Sequence, residues 1–187
     1  MPETERLVLR DWREADLAPF AALNADPVVM EHFVRTAARE ESDDAVRQFQ
    51  SDLDVRGYGL WALEVKATGE FVGFTGLALQ TFPAHFTPAV EVGWRLAHDA
   101  WGHGYATEAA RAALAVGFDE HDLDEIVSMT ATTNLRSQRV MQRLGMTRDP
   151  ADDFDNPKVP EGHRIRRHVL YRITREEHHR LRSAPPS

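Results

Sequence analysis

Two glycines separated by one residue, Gly102 and Gly104, precede an alanine-rich stretch in WGHGYATEAA, residues 101–110. The preceding segment VEVGWRL alternates between apolar and polar residues, as strands do. The chain is therefore expected to leave a strand, turn through the glycines and enter a helix. The first turn of a helix has unpaired N–H groups and the positive end of the helix dipole, which together bind phosphate. Glycine lets the backbone approach a phosphate closely, although a tight turn alone also needs glycine.

Three kinds of phosphate-binding turn compete for this segment. A Walker A loop requires Lys and then Ser or Thr after its last glycine, whereas Tyr105 and Ala106 follow Gly104 here. A dinucleotide fingerprint requires a third glycine, where this chain has Thr107, and an acid at the end of the next strand, where it has ATTN. The third interpretation is a diphosphate held by main-chain N–H groups at the helix N-terminus. The glycine pair alone does not separate this interpretation from a purely geometric turn.

The surrounding pattern mixes strands and helices. Period-two alternation predicts strands at residues 6–12, 60–65, 71–79, 90–96, 126–131 and 165–173. Helical spacing predicts helices at residues 15–24, 39–55, 105–118 and 135–144. Proline-containing segments at 80–89 and 150–163 are predicted loops, and the basic tail is predicted to fray. This order indicates a mixed sheet with helices on its faces.

Composition limits the function classes. A chain of 187 residues fits a single domain, and its lack of cysteine excludes disulfides and cysteine nucleophiles. A net charge of -8 argues against nucleic-acid binding, which depends on basic residues. We see no secretory signal and no apolar run of membrane-spanning length, so we expect a cytoplasmic protein without membrane attachment. Neither histidine pair, His98 with His103 or His178 with His179, has a third ligand, so we expect no metal site.

The combination of VEVGWRL, WGHGYATEA and NLRSQRVMQRLG resembles the GNAT superfamily of N-acetyltransferases. The segments RLVLRDWREAD, DPVVMEHF and HVLYRITREE are similar to its ribosomal-protein-alanine N-acetyltransferase group (RimJ/RimL-like), so the resemblance spans nearly the whole chain. One position differs. The superfamily's glycine motif usually begins with Gln or Arg three residues before the first glycine, and here that residue is Asp99.

The resemblance implies an α/β fold with a mixed, mostly antiparallel sheet of six or seven strands. The sheet would splay after the fourth strand and carry helices on both faces. It implies one N-acetyltransferase domain over residues 1–187, with a core at about 5–175 and a short flexible C-terminal tail. Acetyl-CoA would be the cosubstrate, with pantetheine pairing along the fourth strand and pyrophosphate on the glycine turn. The implied coenzyme contacts are Trp94, Arg95, Leu96, Trp101, Gly102, His103, Gly104, Tyr105, Ala106, Thr107, Asn134 and Ser137.

The resemblance also implies acetyl transfer by direct attack of a primary amine in a ternary complex. Glu91 is the candidate base that deprotonates the amine, although alternation also allows it to face solvent. Asn134 is a good helix N-cap, and it is also the residue that would bind pantetheine. Ser137 is a candidate acid for the leaving thiolate, a coenzyme contact or a bystander. Tyr171 lies where some members place an acidic tyrosine, but we expect it to pack within its strand.

The acceptor is left open by the sequence. The resembled group acts on protein N-termini and on small amines, and the segment around His32 together with loop 80–89 would line the entrance. The acidic loop 149–155 would favour a cationic amine unless it is merely solvated. Two other functions remain: a catalytically silent acyl-CoA sensor, which would need no base, and an oxidoreductase that binds NAD(P). The protein is expected to be a monomer or a homodimer.

Overall fold

A computed structural model describes residues 1–183, which form one seven-stranded sheet and five α-helices. The strands are β1 (Leu7–Arg10), β2 (Leu60–Val65), β3 (Phe71–Gln80), β4 (Ala89–Leu96), β5 (Glu125–Ala131), β6 (Phe154–Asp155) and β7 (Arg167–Thr174). The helices are α1 (Leu17–Ala25), α2 (Arg39–Arg56), α3 (Tyr105–Ala115), α4 (Leu135–Arg143) and α5 (Arg175–Ser183). In this part of the chain, no helix combines the length and apolarity needed to cross a bilayer.

The sheet order is β1-β2-β3-β4-β5-β7-β6, and every pairing except β4 with β5 is antiparallel. Strands β4 and β5 are parallel and are paired at one position, Glu91 opposite Val127. Beyond that pair the strands diverge, although β3 and β4 remain paired from Gly73–Leu96 to Gln80–Ala89. The predicted α/β fold, with a mostly antiparallel sheet that splays after its fourth strand, is confirmed.

Helices cover both faces of the sheet. On one face, β4 places Val92 and Leu96 in a core cluster with the alanines Ala109, Ala110 and Ala113 of α3. These alanines are fully buried, and their small side chains let α3 lie close to the strands. On the opposite face, α1 and α2 pack through an aromatic cluster that joins them to β3. Its members are Trp12, Phe20, Phe49, Phe71 and Phe74.

Three details differ from the sequence predictions. The predicted loop at 150–163 contains the short strand β6, which pairs with β7. The helix predicted at 105–118 is α-helical to Ala115 and then widens into a π-helical turn, Val116–Glu120. The prediction of a frayed C-terminal tail was wrong for residues 175–183, which form α5. Residues 184–187 lie outside the described part of the chain.

Helix α5 begins at a capping box in the segment TREE, residues 174–177. The hydroxyl of Thr174 accepts a hydrogen bond from the N–H of Glu177, and the carboxylate of Glu177 accepts one from the N–H of Thr174. His178 is buried against Phe118 and anchors the helix to the core. This capping signal was present in the sequence and was missed there.

The start of the chain is fixed by a buried ion pair. Two guanidinium N–H groups of Arg10 donate to the two carboxylate oxygens of Asp16 at 2.7 and 2.8 Å, and both side chains are 3% exposed. The Nε of Arg10 also donates to Glu64 on β2 at 2.7 Å. The pair therefore ties β1 to β2 and to the turn that starts α1.

We predict that Asp16→Asn lowers the free energy of unfolding by about 3 kcal/mol, because it leaves part of a buried charge uncompensated. Asp44→Asn is the matched control, since Asp44 and its partner Arg47 are 68% and 70% exposed. The control is expected to change stability by less than about 0.5 kcal/mol. Urea unfolding of both variants measures the difference, and equal midpoints would contradict the prediction.

Candidate active site

The glycine turn presents a row of unpaired main-chain N–H groups. Gly102 and Gly104 both adopt φ of 82°, a left-handed conformation that favours glycine. Gly104 is the N-cap of α3, and its carbonyl accepts the first helical hydrogen bond, from Glu108. Within residues 1–183, the N–H groups from Gly102 to Thr107 have no hydrogen-bond acceptor. The turn is therefore built to receive an anion with several acceptor oxygens.

Side chains around this turn form its walls. The indole N–H of Trp101 donates to the carbonyl of Leu96 at 2.9 Å, and the guanidinium of Arg136 lies 4.7 Å from the Trp101 ring. The ring of Tyr105 stacks with His103, and the guanidinium of Arg6 lies 4.9 Å from its centre. Trp101 and Tyr105 are half-buried, whereas His103 is exposed. Coenzyme contacts by these residues stay predictions.

The edge of β4 that faces β5 is open beyond the single β4–β5 pair. The carbonyl of Val92 accepts a hydrogen bond from Ser128 of β5, whereas the carbonyl of Gly93 accepts one from Thr75 of β3. Because alternate residues of a strand direct their main-chain groups to opposite edges, those of Trp94 point into the gap and those of Arg95 point to β3. Trp94 thus offers a main-chain donor and acceptor to an extended ligand.

Glu91 lies at the point where β4 and β5 separate. Its carboxylate accepts hydrogen bonds from the side-chain amide of Gln80 at 2.9 Å and from the N–H of Met129 at 3.4 Å. Although one side of Glu91 faces the cavity, protein atoms surround most of it, and this desolvation raises the pKa of its carboxyl to about 7. The hydrogen bond from Met129 and the charge of Lys158 act in the opposite direction on that pKa. Glu91 is thus half-buried in the cavity wall, and its role as the base stays a prediction.

Asn134 and Ser137 occupy the start of α4. The Oδ1 of Asn134 accepts a hydrogen bond from the N–H of Ser137 at 3.2 Å, so Asn134 is the N-cap. Its amide donates to the hydroxyl of Thr130 at 2.9 Å and to that of Ser137 at 3.1 Å. Because the Ser137 oxygen acts as an acceptor in this contact, its own hydrogen remains available to a group in the cavity.

Tyr171 lies away from these residues. It is 4% exposed in the main core cluster, and its hydroxyl accepts a hydrogen bond from Gln142. This is the expected packing within β7. Among the described residues, no three His, Asp or Glu side chains come together in a group that could hold a metal ion.

One cavity of about 830 Å³ joins the glycine turn, the open edge of β4 and the start of α4. Glu91, Trp94 and Ser137 line it, and so do the other sequence-predicted candidates except His103, whose side chain lies outside this cavity. The cavity continues beneath the segment between α1 and α2, where His32 and Phe33 line it as expected. Of loop 80–89, only the first residue, Gln80, contributes to the lining.

Two features of the cavity were missed in the sequence. The side-chain amide of Gln80 donates a hydrogen bond to Glu91, and the ammonium group of Lys158 donates one to Gln80. No local sequence pattern predicts that either residue lies beside Glu91. The acids of loop 149–155 are largely paired with bases: Asp152 with Arg172, Asp153 with Arg148, and Asp155 with Arg166 and Arg167. This loop therefore does not present a free acidic surface to an acceptor.

Comparisons with known proteins agree with this geometry. The family model described as "Acetyltransferase (GNAT) domain" matches residues 6–147. The FsC-acetyl coenzyme A-N(2)-transacetylase of Aspergillus fumigatus is 35% identical over 178 residues, which cover 88% of this chain and 71% of that protein.

Solved structures share the fold. A GNAT-family acetyltransferase from Bacillus anthracis superposes with a TM-score of 0.78 at 25% identity, over 94% of this chain and 98% of that chain. RimL, a ribosomal L7/L12 alpha-N-protein acetyltransferase solved with coenzyme A, superposes with a TM-score of 0.73 at 17% identity, over 92% and 96%. The family match, the curated relative and the shared architecture agree, and the chain belongs to the GNAT family of acetyl-CoA-dependent acetyltransferases.

Proposed function

We propose that this protein transfers the acetyl group of acetyl-CoA directly to a primary amine, with Glu91 as the base and Ser137 as the acid. The observation that carries the proposal is Glu91 itself. Its carboxyl has a pKa of about 7. It lies where β4 and β5 separate, in the same cavity that the glycine turn lines. A catalytic base is most effective when its pKa lies near the working pH.

The residues present fit acetyl-CoA. The unpaired N–H groups from Gly102 to Thr107 suit a pyrophosphate, and the open main-chain groups of Trp94 suit the amides of pantetheine. A coenzyme bound in this way would direct its thioester along the gap towards Glu91. The same fit favours an acetyl donor over NAD(P), because the next strand ends at Ala131 without an acid for a ribose.

The chemical step needs two proton movements. The amine nitrogen attacks the thioester carbonyl carbon, the new C–N bond forms, and Glu91 takes the proton that the nitrogen loses. The C–S bond then breaks, and Ser137 passes its hydroxyl proton to the leaving thiolate while water in the cavity reprotonates the serine oxygen. Glu91 returns the amine's proton to water, so that both side chains regain their starting states. The amide of Asn134 holds the Ser137 oxygen as an acceptor, which leaves that proton free to be donated. No covalent intermediate on the protein is required, in keeping with the absence of cysteine.

The first prediction concerns the glycine turn. Gly102→Ala is expected to weaken acetyl-CoA binding about tenfold or more, because a Cβ would stand between the N–H groups and the phosphates. Gly69→Ala is the matched control: Gly69 has φ of +72° and Gly102 has φ of +82°, and an added Cβ meets no atom within 4 Å at either position. Both variants should lose about 1 kcal/mol of stability from backbone strain. Titration calorimetry with acetyl-CoA should show weaker binding by Gly102→Ala than by Gly69→Ala. Equal affinities of the two variants would show that the turn does not bind the coenzyme.

The second prediction concerns pH. Because the deprotonated form of Glu91 is the base, the contribution of Glu91 to kcat/KM should rise with pH through about 7 and then level off. Glu91→Gln should lose this step and about 10²- to 10³-fold of kcat/KM at pH 8. Any dependence that the amine itself contributes should remain in the variant, so the difference between the two profiles isolates Glu91. Normal turnover by Glu91→Gln would contradict the assignment.

The same pKa has a consequence for stability. A carboxyl whose folded-state pKa is raised from 4.5 to about 7 contributes stability below pH 4.5, and that contribution is lost as the pH rises through 7. Above pH 7, Glu91→Gln is therefore expected to melt at a higher temperature than the wild type. This gain should disappear below pH 4.5, where both side chains are neutral, and thermal melts at pH 4 and pH 8 would show whether it does.

The fourth prediction separates catalysis from binding at Ser137. Ser137→Ala should lower kcat by more than it raises the Kd of acetyl-CoA, because the thiolate loses its proton donor. The N–H of residue 137 still reaches Asn134 in this variant, so the N-cap of α4 is retained. Steady-state kinetics and coenzyme titration together test the assignment. A large change in Kd with kcat intact would make Ser137 a coenzyme contact only.

A further inference from the structure

Arg95 is a half-buried cation with a fully buried Nε, and it lies on the same face of β4 as Glu91. The two residues are four apart with Gly93 between them, so period-two alternation directs their side chains to the face that α1 and α2 cover. The side chain of Arg95 also lines the cavity, together with Phe33 and Phe74. It therefore stands in the part of the cavity that lies beneath the segment between α1 and α2.

No acidic group neutralises this cation. Throughout residues 1–183, no Asp or Glu oxygen lies within 4 Å of the Arg95 guanidinium, and its buried Nε has no hydrogen-bond acceptor. Desolvation lowers the pKa of Arg95 to about 10, in the direction expected for a cation without a partner. Keeping an unpaired charge out of water is costly, whereas Arg10 shows that the same fold does pair a buried arginine.

Neutral groups nevertheless hold the guanidinium in place. Its Nη1 donates to the Oδ1 of Asn24 at 2.6 Å, and the amide of Asn24 donates to the hydroxyl of Ser42 at 3.1 Å. Asn24 is 2% exposed and Ser42 is 1% exposed, so this relay is shielded from water. The rings of Phe33 and Phe74 lie 4.1 and 5.4 Å from the Arg95 carbon Cζ. The surroundings fix the orientation of the guanidinium and leave its charge available.

The path from Arg95 to Glu91 is open. Gly93 on β4 lies opposite Gly76 on β3, so no side chain stands on the sheet between the two residues. A Cβ on Gly93 would meet no atom within 4 Å. At about 3.3 Å per residue, the Cα atoms of Glu91 and Arg95 are about 13 Å apart. An extended molecule can therefore lie along β4 with one end at each residue.

We propose that Arg95 binds a carboxylate of the acceptor, so that the preferred substrate is a primary amine with a carboxylate several bonds from the nitrogen. The amine lies at Glu91, and the carboxylate receives the Nη N–H groups of Arg95 that Asn24 does not engage. This inference rests on the proposed acetyl transfer, and it makes Arg95 a determinant of specificity. A planar guanidinium suits a carboxylate because it donates two parallel hydrogen bonds.

The test compares substrates that differ only in charge. We would measure kcat/KM for ω-amino acids of four, six and eight carbons and for the ω-amino carboxamides of the same lengths. At the best length, the wild type should prefer the carboxylate by about 10- to 100-fold, as expected for a buried charge-assisted hydrogen bond. Arg95→Met should abolish this preference by lowering activity on the carboxylate alone, and Arg95→Lys should retain part of it.

Three controls identify the source of any preference. Arg47→Met removes an exposed arginine on α2 and should leave the preference unchanged. Lys158→Met removes the cation beside Gln80 and should also leave it intact. If the preference disappears in Lys158→Met and survives in Arg95→Met, the assignment to Arg95 is overturned. Equal loss on both substrate series in Arg95→Met, or a loss of acetyl-CoA affinity, would make Arg95 a structural or coenzyme residue.

The outcomes separate this inference from the proposed function. Equal rates on carboxylates and carboxamides in the wild type would refute the carboxylate site while leaving acetyl transfer established. Binding of acetyl-CoA without turnover on either series, or on peptide N-termini, would refute acetyl transfer and the inference with it. Hexanoate, which has a carboxylate and no amine, gives a readout independent of turnover. Wild-type protein loaded with coenzyme A should bind hexanoate at least about tenfold more tightly than Arg95→Met does.

Discussion

The separation of β4 from β5 is the constraint on which the site depends. A continuous sheet would pair the main-chain groups of both strands, but here the pairing is confined to Glu91 opposite Val127. Ser128 supports the last contact by donating to the carbonyl of Val92. Beyond it, main-chain groups that a protein normally satisfies remain open to a ligand. The same opening creates the cavity and places Glu91 in its wall.

The electrostatics of the cavity contrast with those of the chain as a whole. The protein carries a net charge of -8, yet many of its acids are held in ion pairs at the surface, including those of loop 149–155. Within the cavity, Glu91 bonds to neutral donors and Arg95 bonds to a neutral acceptor. Both charges are desolvated and neither is neutralised by the other, because Gly93 lies between them on the strand. Such a pair of separated charges suits a substrate that carries an amine and an anion.

Rigid packing keeps the functional groups in place. The buried alanines of α3 bring its N-terminus, with its unpaired N–H groups, close to the end of β4. The relay from Arg95 through Asn24 to Ser42 connects β4 to α1 and α2, so these two helices are fixed to the strand that carries Glu91. Arg10 and Asp16 fix the turn from which α1 begins.

The sequence by itself determined the local features of this protein. Alternation located six of the strands, the glycine pair located the turn before α3, and the N-x-x-S spacing located the cap of α4, because each depends on residues close together in the chain. The capping box at Thr174 was equally local and was overlooked. Only the tertiary structure decided the state of Glu91 and Arg95. Their pKa shifts come from desolvation by parts of the chain that lie far from them in sequence, and their hydrogen-bond partners Gln80, Met129 and Asn24 are equally remote. No local pattern encodes the opening between the two strands.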